Sequence, residues 1–306
     1  MSGETILVTG ASGLIGQRLL ARLAGEGRKA VGIDVAARPG YRPIEIADLC
    51  DIHRLHALAA RDGVTSVVHC GAVSGPMVMI DNPYGIVRAN VVGTANVVEL
   101  ARIRQMRRLV FCSSTSAYGP TDEPVDGSSG VTEDAPLRPS SVYGATKVAG
   151  EQLLAGYRQQ HGLDAVAIRL SWVYGPGRTT DCLIRTMIED AQAGRPTRLG
   201  FGRDFPRQFI HVDDAVDALV KAHDAPVCSR PVYTATGGSF LTIGEIADVV
   251  RTVLPQADIS VAPGPDPLDD HQHRFDTAAI ARDLGFEPQH ALSAGIHSYA
   301  QWLASR

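Results

Sequence analysis

Three residues of this chain have the types and spacing that chemistry at an alcohol would need. Tyr143 and Lys147 stand four residues apart in a stretch of helical periodicity, so they would share one helix face. A free tyrosine has a pKa of about 10, and a neighbouring ammonium group would favour the phenolate, which can accept a hydroxyl proton. Ser114, at the end of an apolar run, could hydrogen-bond the same oxygen. The three residues therefore predict a catalytic set for oxidising a secondary alcohol.

A glycine pattern near the N-terminus predicts the hydride acceptor. Gly10, Gly13 and Gly16, spaced GxxGxxG, follow a β-branched run and precede a stretch with helical spacing. In such a strand–turn–helix unit a pyrophosphate sits on the helix N-terminus, where free N–H groups and the positive dipole end attract anionic oxygens. We expect Gly10 to permit the turn, Gly13 to admit phosphate to the backbone, and Gly16 to allow close packing of helix and strand.

Asp34 bears on which dinucleotide is bound. It ends the second predicted strand, about 20 residues after the glycines, where a carboxylate can accept both ribose hydroxyls of adenosine and repel a 2′-phosphate. A turn-forming aspartate is the alternative, and Arg38 lies close enough in sequence to complicate the choice. The sequence predicts NAD as the cofactor.

These residues need a framework, and the first two-thirds of the chain predict one. Strand-like runs alternate with helical stretches, the strands at 5–8, 30–33, 64–69, 109–112 and 165–170 and the helices at 15–23, 86–104 and 142–160. This alternation predicts an α/β fold, a Rossmann-type doubly wound parallel sheet with helices on both faces. Ser140 or Ser141 would cap the third helix.

The last third of the chain has a different character. Gly, Pro, Arg and Asp crowd 194–208, helices are expected at 213–222 and 243–253, and 263–270 is loop-like. We predict an NAD-binding domain over 1–170 that carries the catalytic residues. Over 171–306 we predict mainly a smaller C-terminal substrate-binding lobe, with some segments returning to the main sheet.

The composition excludes several classes of protein. With 306 residues, 44% hydrophobic and 20% charged, the chain is typical of a soluble globular protein. A formal charge of -4 offers no basic footprint for nucleic acid. No apolar stretch is long enough to cross a membrane, and no secretory pattern is present. Five cysteines without a CxxC pair indicate reduced thiols in the cytoplasm, with no metal site predicted.

The ordered motifs resemble those of the extended short-chain dehydrogenases/reductases, which include NAD-dependent sugar epimerases and dehydratases. The resemblance covers nearly the whole chain and is specific for the superfamily, but much less so for the substrate. It rests on 9–16, Asp34, 47–49, 69–72, 90–94, 113–119, 143–147, 173–176, 207–214 and 284–288.

The resemblance implies roles for individual residues. Asp48 and Leu49 would border the adenine, and Ala72 and Asn90 would border the nicotinamide half of the cofactor. Arg207 and Arg274 match positions that hold a substrate diphosphate, a role that suits the guanidinium fork. A surface arginine is the alternative for each. The expected cofactor-binding set is Gly10, Gly13, Leu14, Ile15, Gly16, Asp34, Asp48, Leu49, Ala72, Asn90, Tyr143, Lys147 and Val173. The expected substrate-binding set is Ser74, Ser114, Thr115, Trp172, Arg207 and Arg274.

Two departures from the family pattern bear on the reaction. Thr115 and Ser116 follow Ser114 where the 4,6-dehydratases of the group carry an Asp-Glu pair, so we do not expect a dehydratase. Trp172 stands where an Asn that contacts substrate is usual. If the indole lines the pocket, the substrate would be smaller than a nucleotide sugar, and the alternative is a core residue turned inward.

Three functional hypotheses follow. The leading one is an NAD-dependent epimerase of a sugar or nucleotide sugar, which keeps NADH bound and returns the hydride to the other face. The alternative is a net dehydrogenase or reductase of a small polyol, sugar acid or hydroxy compound. A dinucleotide-binding regulator without chemistry would not need Ser114, Tyr143 and Lys147 together. The resemblance also implies a homodimer formed through the helices at 86–104 and 142–160.

Overall fold

Helices and parallel strands alternate along the computed structural model, which describes residues 3–40, 42–124, 129–267 and 269–306. The strands are β1 (Thr5–Thr9), β2 (Lys29–Asp34), β3 (Glu45–Ile46), β4 (Ser66–His69), β5 (Leu109–Ser114), β6 (Ala165–Leu170), β7 (Trp172–Tyr174), β8 (Thr197–Leu199), β9 (Pro206–Arg207), β10 (Phe209–His211), β11 (Val232–Ala235), β12 (Leu241–Thr242) and β13 (Ile259–Val261). The α-helices are α1 (Leu14–Gly25), α2 (Ile52–Asp62), α3 (Pro83–Val87), α4 (Gly93–Ile103), α5 (Val142–His161), α6 (Leu183–Gln192), α7 (Val212–Asp224), α8 (Ile243–Val253), α9 (Ala278–Leu284) and α10 (Leu292–Ala304).

Seven strands form one parallel sheet in the order β11-β6-β5-β4-β1-β2-β3. Strand β1 pairs with β2 on one side and with β4 on the other, so the direction of strand addition reverses beside β1. In open sheets of this kind ligands bind in the crevice at the carboxyl ends of the strands, where that reversal occurs. The predicted doubly wound α/β fold is confirmed, and it places the ligand crevice beside the glycine turn after β1.

Both faces of the sheet are covered, which explains the continuous apolar runs of its central strands. Every residue of β1 and β4 is buried. Successive side chains point to opposite faces, so Ile6 packs in one core with Leu219 of α7, and Leu7 packs in the other with Val97 of α4. These two cores fix the strand ends that carry the candidate site.

The helix expected at 86–104 begins earlier and is not uniform. Asn82 caps its start by accepting a hydrogen bond from Gly85 N at 2.9 Å. Between α3 and α4 the chain makes a π-helical segment, Arg88–Val92, whose wider turn carries the buried Asn90. Such bulges are frequent at functional sites.

Other element boundaries differ by one or two residues. Strand β4 begins at Ser66, two residues later than expected, and β5 continues to Ser114 because its pairing with β6 extends to Leu170. Helix α5 is capped by Ser141, whose Oγ accepts from Gly144 N at 3.1 Å. The Ser140 hydroxyl instead donates to Asp270 at 2.6 Å.

The region after β6 contributes to two bodies of structure. Strand β11 extends the main sheet beside β6, and α7 packs against β5 and β6. Helices α6, α8 and α10 pack on one another around a third core that includes Tyr174, Phe209 and Tyr299, flanked by the short pairs β7–β10, β9–β12 and β8–β13. Among the described residues no helix combines the length and apolar character needed to cross a membrane.

Candidate functional site

The glycine turn between β1 and α1 is closed by contacts that exclude side chains. Gly10 has a φ of +65°, and a Cβ there would lie 2.7 Å from the carbonyl carbon of Cys70. A Cβ on Gly16 would lie 2.2 Å from the carbonyl oxygen of Gly10. Gly13 is the N-cap of α1, and no described side chain caps this helix end. The first N–H groups of α1 are therefore directed at the crevice, which fits an anionic pyrophosphate.

Substitution of Gly16 by alanine is expected to abolish dinucleotide binding at micromolar NADH. The new methyl would overlap the Gly10 carbonyl and push the turn and α1 apart. Quenching or transfer of protein fluorescence on NADH titration measures the loss. Gly25→Ala in the same helix is the control, since a Cβ there meets nothing within 4 Å and binding should be retained. Equal NADH affinity of Gly16→Ala and the native protein would refute this account of the turn.

Asp34 is held beside the glycine turn by backbone donors. Its carboxylate accepts hydrogen bonds from Ser12 N at 2.9 Å and from Val35 N at 2.7 Å. Arg38, which complicated the choice between NAD and NADP, donates to Thr179 Oγ1 at 3.1 Å. Asp34 thus presents a fixed negative charge at the carboxyl end of β2, where it suits ribose hydroxyls and disfavours a 2′-phosphate.

The residues expected at the adenine end lie on the neighbouring loop. Leu49 lies against the next loop and helix, because a Cβ on Gly71 would meet its Cδ1 at 2.7 Å and a Cβ on Gly93 its Cβ at 2.8 Å. Asp48 is exposed and pairs with Arg88 at 3.3 Å. Both residues are therefore at the edge of the crevice, next to the turn that follows β4.

Asn90 acts on the loop after β4 through its buried amide. Its Oδ1 accepts from Val73 N at 2.7 Å, and its Nδ2 donates to Val73 O and to Thr146 Oγ1, each at 3.0 Å. Ala72 is half-buried next to this clamp. The arrangement fixes the 72–74 loop against α5 and so holds the expected nicotinamide half of the site in place.

The remaining residues of the expected cofactor set frame the crevice. Leu14 and Ile15 form the first turn of α1, and Ile15 packs against the core of the sheet. Leu14 faces Gly177, where a Cβ would lie 3.3 Å from its Cδ1. Val173 lies in β7, and its carbonyl accepts a hydrogen bond from Arg178.

Ser114 and Tyr143 lie where β5 and α5 meet. The Ser114 hydroxyl accepts from Ser116 N at 3.1 Å and starts a short 3₁₀ turn, Thr115–Ala117. Helix α5 rests on that turn, since a Cβ on Gly144 would lie 2.4 Å from Ser116 O. The Tyr143 hydroxyl is 3.4 Å from the Ser74 hydroxyl. The structure thus brings Ser74 and Tyr143 into contact and holds Ser114 beside the N-terminus of α5.

Lys147 is buried one turn further along α5. Its Nζ donates to the carbonyl of Cys112 at 2.8 Å and lies 5.6 Å from the centre of the Tyr143 ring. The same Nζ is 4.9 Å from the Phe111 ring centre. A positive charge near a phenol favours its ionised form. The geometry therefore has the two components that base chemistry by a tyrosine requires, a phenol at the crevice and a fixed cation behind it.

Beyond the turn that follows Ser114 lies a cleft of about 240 Å³. Its walls are Thr115, Trp172, Pro206, Arg207, Gln208, Asp269, Asp270, Gln272 and Phe275. Trp172 both lines this cleft and packs partly against the core of the C-terminal lobe. Its Nε1 donates to Asp269 Oδ2 at 3.0 Å, which fixes the indole in the cleft wall. Thr115 is held by its carbonyl, which accepts from Gln272 Nε2 at 2.8 Å.

The two arginines expected to bind a diphosphate are not alike. Arg207 is buried, and its Nη2 donates to Asp266 Oδ2 at 2.5 Å and forms an ion pair with Asp269 Oδ2 at 2.8 Å. Its guanidinium lies 4.8 Å over the Trp172 ring. Arg274 is exposed over the Phe240 ring, at 5.8 Å, and does not line the cleft. Burial raises the pKa of Asp269, and the Arg207 charge opposes that shift.

Asp266 and Asp269 did not stand out in the sequence. They lie in the stretch 263–270, whose composition indicates only a loop. The clustering of aspartates at 266, 269 and 270 is a sequence signal for a polar site. It does not show which residue these carboxylates pair with, because a loop has no periodicity.

Burial lowers the pKa of three histidines, His69, His211 and His223, and so makes the stability of the protein depend on pH. His69, at the end of β4, lies between Thr9 Oγ1 at 2.6 Å and Thr94 Oγ1 at 3.0 Å, and burial, aided by the Lys147 charge, lowers its pKa to about 3. Burial, aided by His290, lowers the pKa of His211 to about 4. The unfolded chain therefore binds more protons than the native protein below pH 6.5.

We expect full stability above pH 6.5 and a decline as the pH falls towards 4. Each histidine would remove up to about 1.4 kcal/mol per pH unit from the free energy of unfolding. Urea unfolding at pH 7.5, 6.0 and 5.0 measures the decline. His69→Gln should make the dependence shallower. An unchanged slope in that variant would exclude His69 as a contributor.

His211, Asp213 and His290 place three potential metal-ligand atoms within 4.8 Å of one another among the described residues. Other contacts already occupy them. Asp213 pairs with Arg18, and the two imidazole rings stack at 4.3 Å with an angle of 24° between their planes. Because a metal ligated by imidazole lies near the plane of the ring, two nearly parallel stacked rings do not present a shared position. We interpret this cluster as a structural contact between β10, α7 and the segment before α10.

Known proteins resemble the chain over nearly its whole length. The model of the NAD dependent epimerase/dehydratase family matches residues 6–233. A UDP-glucose 4-epimerase of Mycolicibacterium smegmatis is 31% identical, covering 98% of both chains. A dTDP-glucose 4,6-dehydratase of Streptomyces griseus is 30% identical over 97% of this chain and 93% of that one. The crystal structure of Thermus thermophilus UDP-glucose 4-epimerase with NAD is 25% identical, with a TM-score of 0.85 over 98% of this chain and 99% of that one.

These matches confirm the resemblance, the fold class and the NAD-dependent enzyme class that the sequence predicted. The match to the family model includes the glycine turn, the Ser114, Tyr143 and Lys147 set and most of the segments that carried the resemblance. The chain is a member of the NAD-dependent epimerase/dehydratase family.

Proposed function

We propose that this protein moves hydride to and from a secondary alcohol carbon of a sugar, with Tyr143 as base, Lys147 as its fixed cation and Ser114 as the partner of the reacting oxygen. The single observation that carries the proposal is the Lys147 ammonium, buried 5.6 Å from the Tyr143 ring at the carboxyl edge of the sheet. NAD fits the crevice because the glycine turn leaves the N-terminus of α1 uncapped and Asp34 faces the same turn.

In the proposed reaction the substrate hydroxyl gives its proton to the Tyr143 phenolate oxygen. NAD held at the glycine turn would supply the acceptor for the hydride that leaves the carbon bearing this hydroxyl. Ser114 donates a hydrogen bond to the substrate oxygen as it becomes a carbonyl. The Lys147 ammonium stabilises the phenolate form of Tyr143. In the reverse direction Tyr143 returns the proton. Ser74, 3.4 Å from the phenol oxygen, is proposed as a further hydrogen-bond partner of the substrate.

An epimerase is the first form of this proposal. It would oxidise the carbon, allow the keto intermediate to turn, and return the hydride to the opposite face. The relative of M. smegmatis, a UDP-glucose 4-epimerase 31% identical to this chain, supports that form. A dehydratase relative matches at 30%, yet Thr115 and Ser116 here offer no carboxylate to handle a departing water.

A net dehydrogenase of a small polyol or hydroxy compound is the second form, and Trp172 favours it. The indole occupies the wall of a narrow cleft and is fixed there by Asp269. A bulky wall leaves less room for a keto intermediate to turn.

The two forms differ in what becomes of NADH. Incubation of the purified protein with NAD and a panel of sugars, nucleotide sugars and polyols, followed at 340 nm and by chromatography, separates them. NADH formed one-for-one with product would reject the epimerase. Isomerisation without added NAD would reject the dehydrogenase.

We further propose two functional regions. Residues 1–170 would bind NAD and carry the catalytic residues, and residues 171–306 would mainly form the substrate site. The cleft supports this division, since Trp172, Arg207 and Asp269 come from the second region. Arg274 is proposed only as a rim residue, because it is exposed over Phe240.

A homodimer in the cytoplasm is the proposed state of the protein. Apolar side chains are exposed along the two helices expected to pair, with Val87, Val92 and Ile103 on the first and Val142 on the second between 38% and 51% exposed. A second copy would bury them. All five cysteines are free, as expected of a reducing compartment. Sedimentation velocity distinguishes a dimer from the 32.5 kDa monomer.

A further inference from the structure

The guanidinium of Arg207 is already neutralised inside the protein. It lies between Asp266 and Asp269, at 2.5 and 2.8 Å, and all three side chains are at most 14% exposed. The guanidinium also lies over the Trp172 ring, with its carbon 4.8 Å from the ring centre. A substrate anion at this position would have to displace carboxylates that are covalently part of the chain and are therefore present at high effective concentration.

The charge of the cleft also opposes an anion. Among the described residues that line the cleft, Arg207 is the only cation, and Asp269 and Asp270 line it too. With Asp266 behind Arg207, three carboxyl groups accompany one guanidinium. Burial raises the pKa of Asp269, but protonation of that group would only make the Arg207 cluster neutral and would not restore a positive site. A diphosphate entering here would meet no uncompensated positive charge.

The cleft is also small. Its empty space, counted together with the open solvent at its mouth, is only about 240 Å³. Trp172 cannot turn aside without giving up its hydrogen bond to Asp269.

The geometry points to a small polyhydroxy substrate without a phosphate group, with Asp266 and Asp269 as the specificity-determining residues that exclude nucleotide diphosphates. The inference rests on the proposed hydride transfer and names the substrate class of that same site. Hydroxyl groups suit the cleft because they donate to carboxylates and can also accept from Arg207. The Nη2 of Arg207 contacts Asp266 and Asp269, whereas its buried Nε has no hydrogen-bond partner among the described residues.

The test is calorimetric binding of UDP to the NAD-saturated full-length protein and its variants. We expect UDP to bind the native protein weakly and Asp266→Asn/Asp269→Asn to bind it about tenfold more tightly or better, because the variant frees the Arg207 charge. Asp122→Asn, an exposed aspartate in a surface ion pair, is the control and should bind UDP as the native protein does. On the substrate panel, unphosphorylated polyols or sugars should be turned over and UDP-sugars should not.

Tight UDP binding by the native protein that Arg207→Ala removes would overturn the inference, and this measurement stands even if the double variant fails to fold. Unchanged UDP affinity in a folded double variant would overturn it as well. Neither result touches the hydride transfer, because UDP binding requires no chemistry. Failure of the proposed function is recognised separately, as turnover that Tyr143→Phe leaves intact.

Discussion

Tyr143→Phe is expected to lower turnover by about 10²- to 10⁴-fold while NADH binding stays within about twofold of the native protein. The phenyl ring keeps the buried packing of Tyr143, and Lys147 keeps its bond to the Cys112 carbonyl, so the crevice is preserved. Only the oxygen that would accept the substrate proton is lost. The measurement is initial rate with the active substrate of the panel, alongside NADH fluorescence titration.

Tyr157→Phe is the matched control. Tyr157 lies on the same helix, where its hydroxyl donates to Glu99 at 3.1 Å, far along α5 from Ser74 and Tyr143. The turnover of Tyr157→Phe should equal that of the native protein. If Tyr143→Phe retained native turnover, Tyr143 would not be the base and the proposed mechanism would fail.

Glu151→Ala is expected to reduce the free energy of unfolding by about 3–5 kcal/mol. Glu151 and Arg169 form a buried ion pair, with two contacts at 2.7 and 2.9 Å, and their side chains are 2% and 3% exposed. Ser113 also donates to Glu151 at 2.5 Å. Removing the carboxylate leaves the Arg169 charge buried without its counter-ion and Ser113 without its acceptor. Urea unfolding measures the loss.

Asp122→Ala is the control for that effect. Asp122 pairs with Arg138 at 3.1 Å, but the two side chains are 77% and 57% exposed, and exposed pairs of this kind contribute about 0–1 kcal/mol. Similar losses in the two variants would mean that burial does not strengthen the Glu151 contact. Because Glu151 lies four residues after Lys147 and is bonded to the residue before Ser114, its loss should also lower turnover.

The cofactor turn and the catalytic set could be predicted from the sequence because each depends on short-range geometry. Gly10, Gly13 and Gly16 act within one strand–turn–helix unit, and Tyr143 and Lys147 share a face of one helix. The burial of strands on both faces makes the sheet visible as alternating apolar runs. The irregularity within the helix at 86–104 could not be predicted, because the π-helical segment Arg88–Val92 does not change the helical periodicity of the sequence.

Only the tertiary structure shows which residues meet around the proposed substrate cleft. Arg207 and Asp266 are 59 residues apart, and Trp172 meets Asp269 across 97. No periodicity in the sequence indicates which strand a loop will cover. An arginine that can bind a substrate phosphate also cannot be distinguished by sequence from one that is paired with a carboxylate of the protein. The sequence by itself determined the fold class and the NAD cofactor, and it predicts Tyr143 as the base. Which charges remain available to a substrate depends on long-range packing, because a side chain's partner is whatever the folded chain brings within reach.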